Sequence, residues 1–144
     1  MTRTKSTDKR SLYLLMLSMI LMIGLFLSSC VSKPGTIEEL IDSNSDVKEQ
    51  IQTAAGNAGM SIGIKGNEIT YTYDLSTIQG ATEENLRDEA MLETLKNALD
   101  SQQSVFAGVC KNIEDETGIS GVSAVVNYTY GDEVLITQTF TSSS

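Results

Sequence analysis

The 144 residues hold 10 lysines and arginines against 19 aspartates and glutamates, a net charge of −9, with 40% hydrophobic residues, two cysteines and no histidine. So acidic a surface repels phosphate backbones and anionic headgroups, which excludes nucleic acid as an expected partner. The lack of histidine removes the commonest general base and a usual zinc ligand.

At the N-terminus Arg3, Lys5, Lys9 and Arg10 precede a mostly apolar run from Leu12 to Leu27, the order of a basic n-region followed by an h-region. As a helix this run rises about 24 Å at ~1.5 Å per residue, short of the ~30 Å hydrocarbon core. A permanent span is disfavoured, and residues 1–29 read as a secretory leader. Leu27-Ser28-Ser29-Cys30 resembles the lipobox, in which an aliphatic residue and two small residues precede an obligatory cysteine. That resemblance implies that Leu27, Ser28 and Ser29 are recognised by a signal peptidase and that Cys30 becomes the diacylglyceryl-carrying first residue of the mature chain. It further implies a lipid-anchored, extracytoplasmic location at the cell membrane. Two chains hold a protein stably where one holds it marginally, each buried methylene contributing ~0.8 kcal/mol. Loss of the leader takes the net charge from −9 to −12, so lipid, and not a basic patch, supplies the affinity for the bilayer, the first expected partner.

Residues 30–35 form a lipidated tether of less than ~20 Å from Val31 to Gly35 at ~3.3 to 3.6 Å per residue, and residues 36–144 are long enough for one domain with one core. Cys110 is then the only free thiol, so no intramolecular disulfide is expected.

Within the domain, Thr36-Ile37-Glu38-Glu39 reads as a capping box. Ile37, Leu40, Ile41, Val47, Ile51, Ala54, Ala55 and Ala58 follow on one helical stripe, which Asp42 to Asp46 breaks in two and Gly56 and Gly59 close. Two alternating runs flank Gly66-Asn67, a hairpin signal that sets Ile64 opposite Ile69, Ile62 opposite Tyr71 and Met60 opposite Tyr73. Thr82-Glu83-Glu84 opens a long helical segment over 83–117, with Leu92, Leu95, Leu99, Phe106, Val109, Cys110 and Ile113 at three- and four-residue steps, a break at Ser101 to Ser104 and a stop at Gly118. A second hairpin turns at Gly131-Asp132-Glu133. A three-residue loop there pairs Tyr130 with Val134, Tyr128 with Ile136, Val126 with Gln138 and Ala124 with Phe140, and a two-residue loop mixes faces, so an odd loop or a bulge is predicted.

The fold class predicted is α+β in the order helix-hairpin-helix-hairpin (αββαββ), a four-stranded antiparallel sheet with helices packed on one face. The order reads as an αββ unit used twice, echoed by Tyr71-Thr72-Tyr73 and Tyr128-Thr129-Tyr130. The stretch Gly66 to Tyr73, the helix around Leu99-Asp100-Ser101-Gln102 and the closing hairpin Tyr128 to Phe140 together resemble a family of small, uncharacterised lipoproteins from Gram-positive bacteria, over most of residues 60 to 140. The resemblance implies a compartment and a fold, and no activity, cofactor or catalytic residue.

Candidate chemistry is sparse. Cys110 would be a nucleophile only if exposed beside a base, and its place on the apolar stripe next to Val109 and Ile113 makes it a core residue. Glu114-Asp115-Glu116 lacks the loop spacing of a calcium site and reads as a solvated charge run. Asp132-Glu133 reads as turn chemistry. The tyrosines share a face with Ile69, Leu75, Val126 and Val134, which makes them core or core-edge residues with hydroxyls at the rim rather than a stacking platform. The opposite face carries Ser61, Thr70, Thr72, Ser123, Asn127, Thr129, Thr137, Thr139 and Thr141. It is either a solvated sheet surface or the place where a protein or glycan docks, with Thr70, Thr72, Asn127, Thr129, Thr137 and Thr139 at its centre. These features lead to the expectation of a non-enzymatic binding or accessory domain with no cofactor or metal. The alternatives are an envelope-acting hydrolase and an inhibitor or immunity-type protein, and the residues name neither partner nor oligomeric state.

Overall fold

The computed structural model describes residues 35–144. The leader, the lipobox-like Leu27, Ser28, Ser29 and Cys30, and the tether up to Pro34 lie outside the described residues. Among the described residues no helix is long and apolar enough to cross a membrane.

The first helix, α1 (Ile37–Asp42), starts where Thr36 accepts the Glu39 amide on its hydroxyl at 3.2 Å. Glu39 turns back to the Gly35 amide at 2.9 Å, one residue before the usual capping-box partner. Asn44 caps α2 (Ser45–Asn57) by accepting from the Val47 amide, so the polar stretch after Leu40 and Ile41 does divide the helix. Strands β1 (Met60–Lys65) and β2 (Glu68–Asp74) then pair in the predicted register, Ile64 with Ile69, Ile62 with Tyr71 and Met60 with Tyr73. Gly66 carries φ +58 and Asn67 does not turn positive, the pattern of a type II′ turn with glycine first.

A 3₁₀ turn at Leu75–Thr77 leads to α3 (Glu83–Arg87), capped by Thr82, then α4 (Glu89–Asp100) and α5 (Gln103–Thr117), which ends at Gly118. The break between α4 and α5 falls in the polar Ser101 to Ser104 stretch. The further break falls at Asp88, which adopts φ −60 and ψ 132 and stands at the N-cap of α4 without a side-chain capping bond, although aspartate is a favoured residue there. The chain closes with β3 (Ser123–Tyr130) and β4 (Glu133–Thr141).

The sheet runs in the order β1-β2-β3-β4. Each hairpin is antiparallel, but β2 and β3 lie parallel, with Glu68 beside Ser123 and Asp74 beside Thr129. The sheet is therefore mixed, which corrects the purely antiparallel expectation. Residues 75–122 carry the chain from the end of β2 back to the level of its start, and a crossover of a dozen or more residues permits parallel pairing. Alternation says which face of a strand is buried and is silent on its direction. The pairing also places Tyr73 opposite Tyr128, so the two Tyr-Thr-Tyr segments sit on the two central strands and not at equivalent positions of a repeated αββ unit.

In the second hairpin Tyr128 faces Ile136, Val126 faces Gln138 and Ala124 faces Phe140, as predicted, but Tyr130 pairs with Glu133 and Thr129 with Val134. The loop is the two residues Gly131-Asp132, and the odd residue is absorbed as a bulge at Leu135. That shift turns Val134 to the other face, where it is 52% exposed, instead of beside the tyrosines.

One core joins α1, α2, α3, α4, α5 and one sheet face. Ile37, Phe106, Ile113 and Leu99 from the helices, with Tyr71, Val126 and Phe140 from the strands, are all but inaccessible. Full burial of side chains of this size contributes roughly 1.5–3 kcal/mol each. Phe106 stacks on Phe140 at 4.9 Å and tilts against Tyr71 at 5.7 Å, so the centre of the core is aromatic.

Candidate functional site

The strand registers arrange the face opposite the core into rows. Gly63, Thr70, Val125 and Thr139 form one, and Ser61, Thr72, Asn127 and Thr137 the next. Ser61, Gly63, Thr137 and Thr139 are exposed, and Thr70, Thr72, Val125 and Asn127 half-buried. Of the six residues singled out from the sequence, Thr70, Thr72, Asn127, Thr137 and Thr139 thus meet on one continuous open surface.

Thr129 does not belong to it. It is buried at 6% exposure, its hydroxyl donates to the Tyr73 carbonyl at 3.4 Å, and the end of β2 closes over it, where Asp74 Oδ1 accepts the Gly131 amide. Alternation gave the right face and not the cover. Two apolar members were missed: Val125 and Val134. The position of Val125 between the inward Ala124 and Val126 was a legible signal, whereas the exposure of Val134 follows only from the bulge.

This surface is chemically neutral at its centre, offering hydroxyls and one amide around Val125. Its polar atoms suit recognition by hydrogen bonding and shape, and charge stands at the margins in Lys65, Glu68 and Asp74.

The other candidates resolve into structural roles. Cys110 is 1% exposed, donates its thiol to the Phe140 carbonyl at 3.7 Å, and has its pKa pushed up to about 11 by burial and by the nearby Glu114 carboxylate. Glu114 points its Oε1 at the amides of Gly121 and Val122, 3.0 Å each, and the Ser142 hydroxyl and the Val122 amide hold it below the ordinary glutamate range. Its neighbour Asp115 pairs with Lys111 at 2.7 Å, so the acidic run diverges. Glu133 pairs with Arg87 of α3. Among the tyrosines, Tyr73 and Tyr128 tilt against each other at 5.6 Å, and Tyr71 is 1% exposed with a hydroxyl that has no hydrogen-bond partner among the described residues. The rim position expected for that hydroxyl is corrected: β2 is an inner strand, and α5 closes over its middle through Phe106.

The start of the domain is locked to one end of the sheet. Asn67 accepts the Ile37 amide on Oδ1 at 3.1 Å and donates through Nδ2 to the Ser120 carbonyl at 3.1 Å, and Gly66 and Glu38 exchange two hydrogen bonds. Ser123 and Thr141 lie at that same end through their register with Glu68.

The profile of a domain of unknown function, DUF4854, matches residues 37–140. The chain belongs to this family. The match begins at the first residue of α1 and ends at Phe140 in β4, so the DUF4854 domain comprises the core, both hairpins and the open face. No curated protein and no solved structure matches the chain.

Proposed function

We propose that this DUF4854 protein is a lipid-anchored, non-enzymatic binding or accessory domain held at the outer face of the cytoplasmic membrane, and that its open sheet face receives a protein or glycan partner. The observation that carries this reading is the continuous neutral surface formed by Thr70, Thr72, Asn127, Thr137 and Thr139 around Val125. Donors and acceptors fixed on a rigid sheet are pre-organised for a partner, which lowers the ordering cost of binding. The confinement of Cys110 to the core supports a non-catalytic role. Anchoring rests on the lipobox-like Leu27 to Cys30, and the hydrogen bonds of Ile37 and Glu38 to the Gly66-Asn67 turn set the start of α1, with Gly35 just before it, at that end of the sheet.

A photo-crosslinking residue placed at Thr72 or Asn127 in living cells is expected to capture a discrete partner, with no capture from Lys96 on the helical side. Equal capture from all three positions would remove the open face as the binding surface. For the anchor, Cys30→Ala is expected to abolish incorporation of labelled palmitate and leave the precursor uncleaved. Label retained on that variant overturns the anchor.

A further inference from the structure

A pocket of about 120 Å³ opens between α1, α2 and β1, on the helical side of the sheet and so away from the threonine-bearing face. Ile41 and Ile51, both buried, and the half-buried Ile64 form its apolar floor. Glu38, Asp42, Lys48 and Gln52 form its polar wall.

The polar groups are held by contacts within the protein. Glu38 accepts the Gly66 amide on Oε2 at 2.6 Å, Lys48 donates to Asp42 Oδ1 at 2.6 Å, and Gln52 donates through Nε2 to the Ile62 carbonyl at 2.9 Å. These bonds fix the side chains and leave three of their oxygens, Oε1 of Glu38, Oδ2 of Asp42 and Oε1 of Gln52, accepting nothing from the described residues. With two carboxylates against one ammonium, the wall keeps a net charge of −1.

We infer that this pocket receives a lysine side chain of a protein partner, its stem on Ile41, Ile51 and Ile64 and its ammonium among the oxygens of Glu38, Asp42 and Gln52. A lysine ammonium brings three N–H donors and no acceptor, and its methylene stem lies favourably on apolar surface while the head stays among polar groups. An anionic side chain would meet Glu38 and Asp42, and a neutral apolar one would strip water from their carboxylates without replacing it. Size selects the source. The pocket is smaller than the ~300–1,000 Å³ of sites that enclose whole small molecules, so its occupant is one side chain carried on a larger partner. The contact is separate from the open face, since Ile62 and Ile64 of β1 turn toward the helices and Ser61 and Gly63 toward that face.

The test uses the isotope-labelled full chain in detergent, titrated with Nα-acetyl-lysine methylamide as the probe. Saturable shifts of the Ile41, Gln52 and Ile64 amide resonances are expected. Nα,Nε-diacetyl-lysine methylamide, which keeps the stem and loses the charge, is expected to bind roughly tenfold more weakly. Lys48→Met removes the competing ammonium and should tighten binding of the lysine probe, whereas Glu38→Gln combined with Asp42→Asn should weaken it with an otherwise native-like spectrum. Equal binding of the neutral probe overturns the assignment, as do shifts that spread over the acidic surface without saturating, weaker binding in Lys48→Met, or full affinity in the folded double variant. If the double variant fails to fold, the two probes on the native chain decide alone. No readout involves lipid at Cys30 or the open face, so the pocket and the binding role proposed above fail separately.

Discussion

Asp74 Oδ1 accepts the backbone amide of Gly131 at 3.0 Å, across 57 residues of chain. The contact ties the end of β2 to the β3–β4 turn and helps to cover Thr129. The same oxygen takes the Ser76 hydroxyl at 2.6 Å and the Ser76 amide at 3.0 Å, and the Ser76 hydroxyl, followed by the Gly131 amide, holds the Asp74 carboxyl below the usual aspartate range. A depressed folded-state pKa gives stability that is present above the unfolded-state value, about 3.9, and is lost as pH falls through the folded-state value. Asp74→Ala is therefore expected to lower the thermal midpoint near neutral pH and to lessen its fall between about pH 5 and 2. Asp74→Asn, which keeps an acceptor oxygen, should lose less. Melting curves recorded against pH check both, and an unchanged acid profile in Asp74→Ala would contradict the assignment.

Both hairpin turns place glycine at a positive φ, +58 at Gly66 and +60 at Gly131. A side chain there is strained by about 1–3 kcal/mol, so Gly66→Ala and Gly131→Ala should each lower the urea midpoint by a corresponding amount. Gly63 has no positive φ and open space where a Cβ would stand. Gly63→Ala should be neutral, or stabilising by up to about 1 kcal/mol through the unfolded chain.

Tyr71 buries its hydroxyl between α5 and the sheet with no partner among the described residues, and burial drives its ionisation far above the ordinary tyrosine range. A buried donor left unsatisfied costs about 1–3 kcal/mol. Tyr71→Phe keeps the ring against Phe106 and removes that cost, so the variant should unfold at higher urea than the native chain. A clear loss of stability would reveal a partner for the hydroxyl.

Cys110 should resist alkylation in the folded protein and react fully after denaturation, since the thiol is both covered and held protonated at neutral pH. Cys110→Ala removes core volume and a hydrogen bond to Phe140, with an expected cost of about 1–2 kcal/mol. Mass spectrometry of pulse-labelled protein measures the first and urea titration the second. Rapid labelling of the native domain would place the thiol within reach of solvent and reopen a reactive role.

The sequence by itself determined whatever short-range rules govern. The capping oxygens of Thr36, Asn44 and Thr82 act within three residues, and the Gly66-Asn67 turn with strict alternation leaves only one register for the first hairpin. Even the odd residue of the second hairpin was legible, because two-residue pairing outward from Gly131-Asp132 cannot keep Ile136 on the face of Tyr128. Tertiary structure decided the rest. Alternation is the same for a strand read in either direction, so the parallel alignment of β2 and β3 depends on how the helices of residues 75–122 pack across the sheet. The burial of Thr129 depends on Asp74 reaching Gly131 across that same junction. The absorption of the extra residue at Leu135, rather than in the loop, exposes Val134 and leaves Tyr130 beside Glu133, a choice between two local geometries that place Ile136 and Phe140 identically, so inward alternation is silent on it.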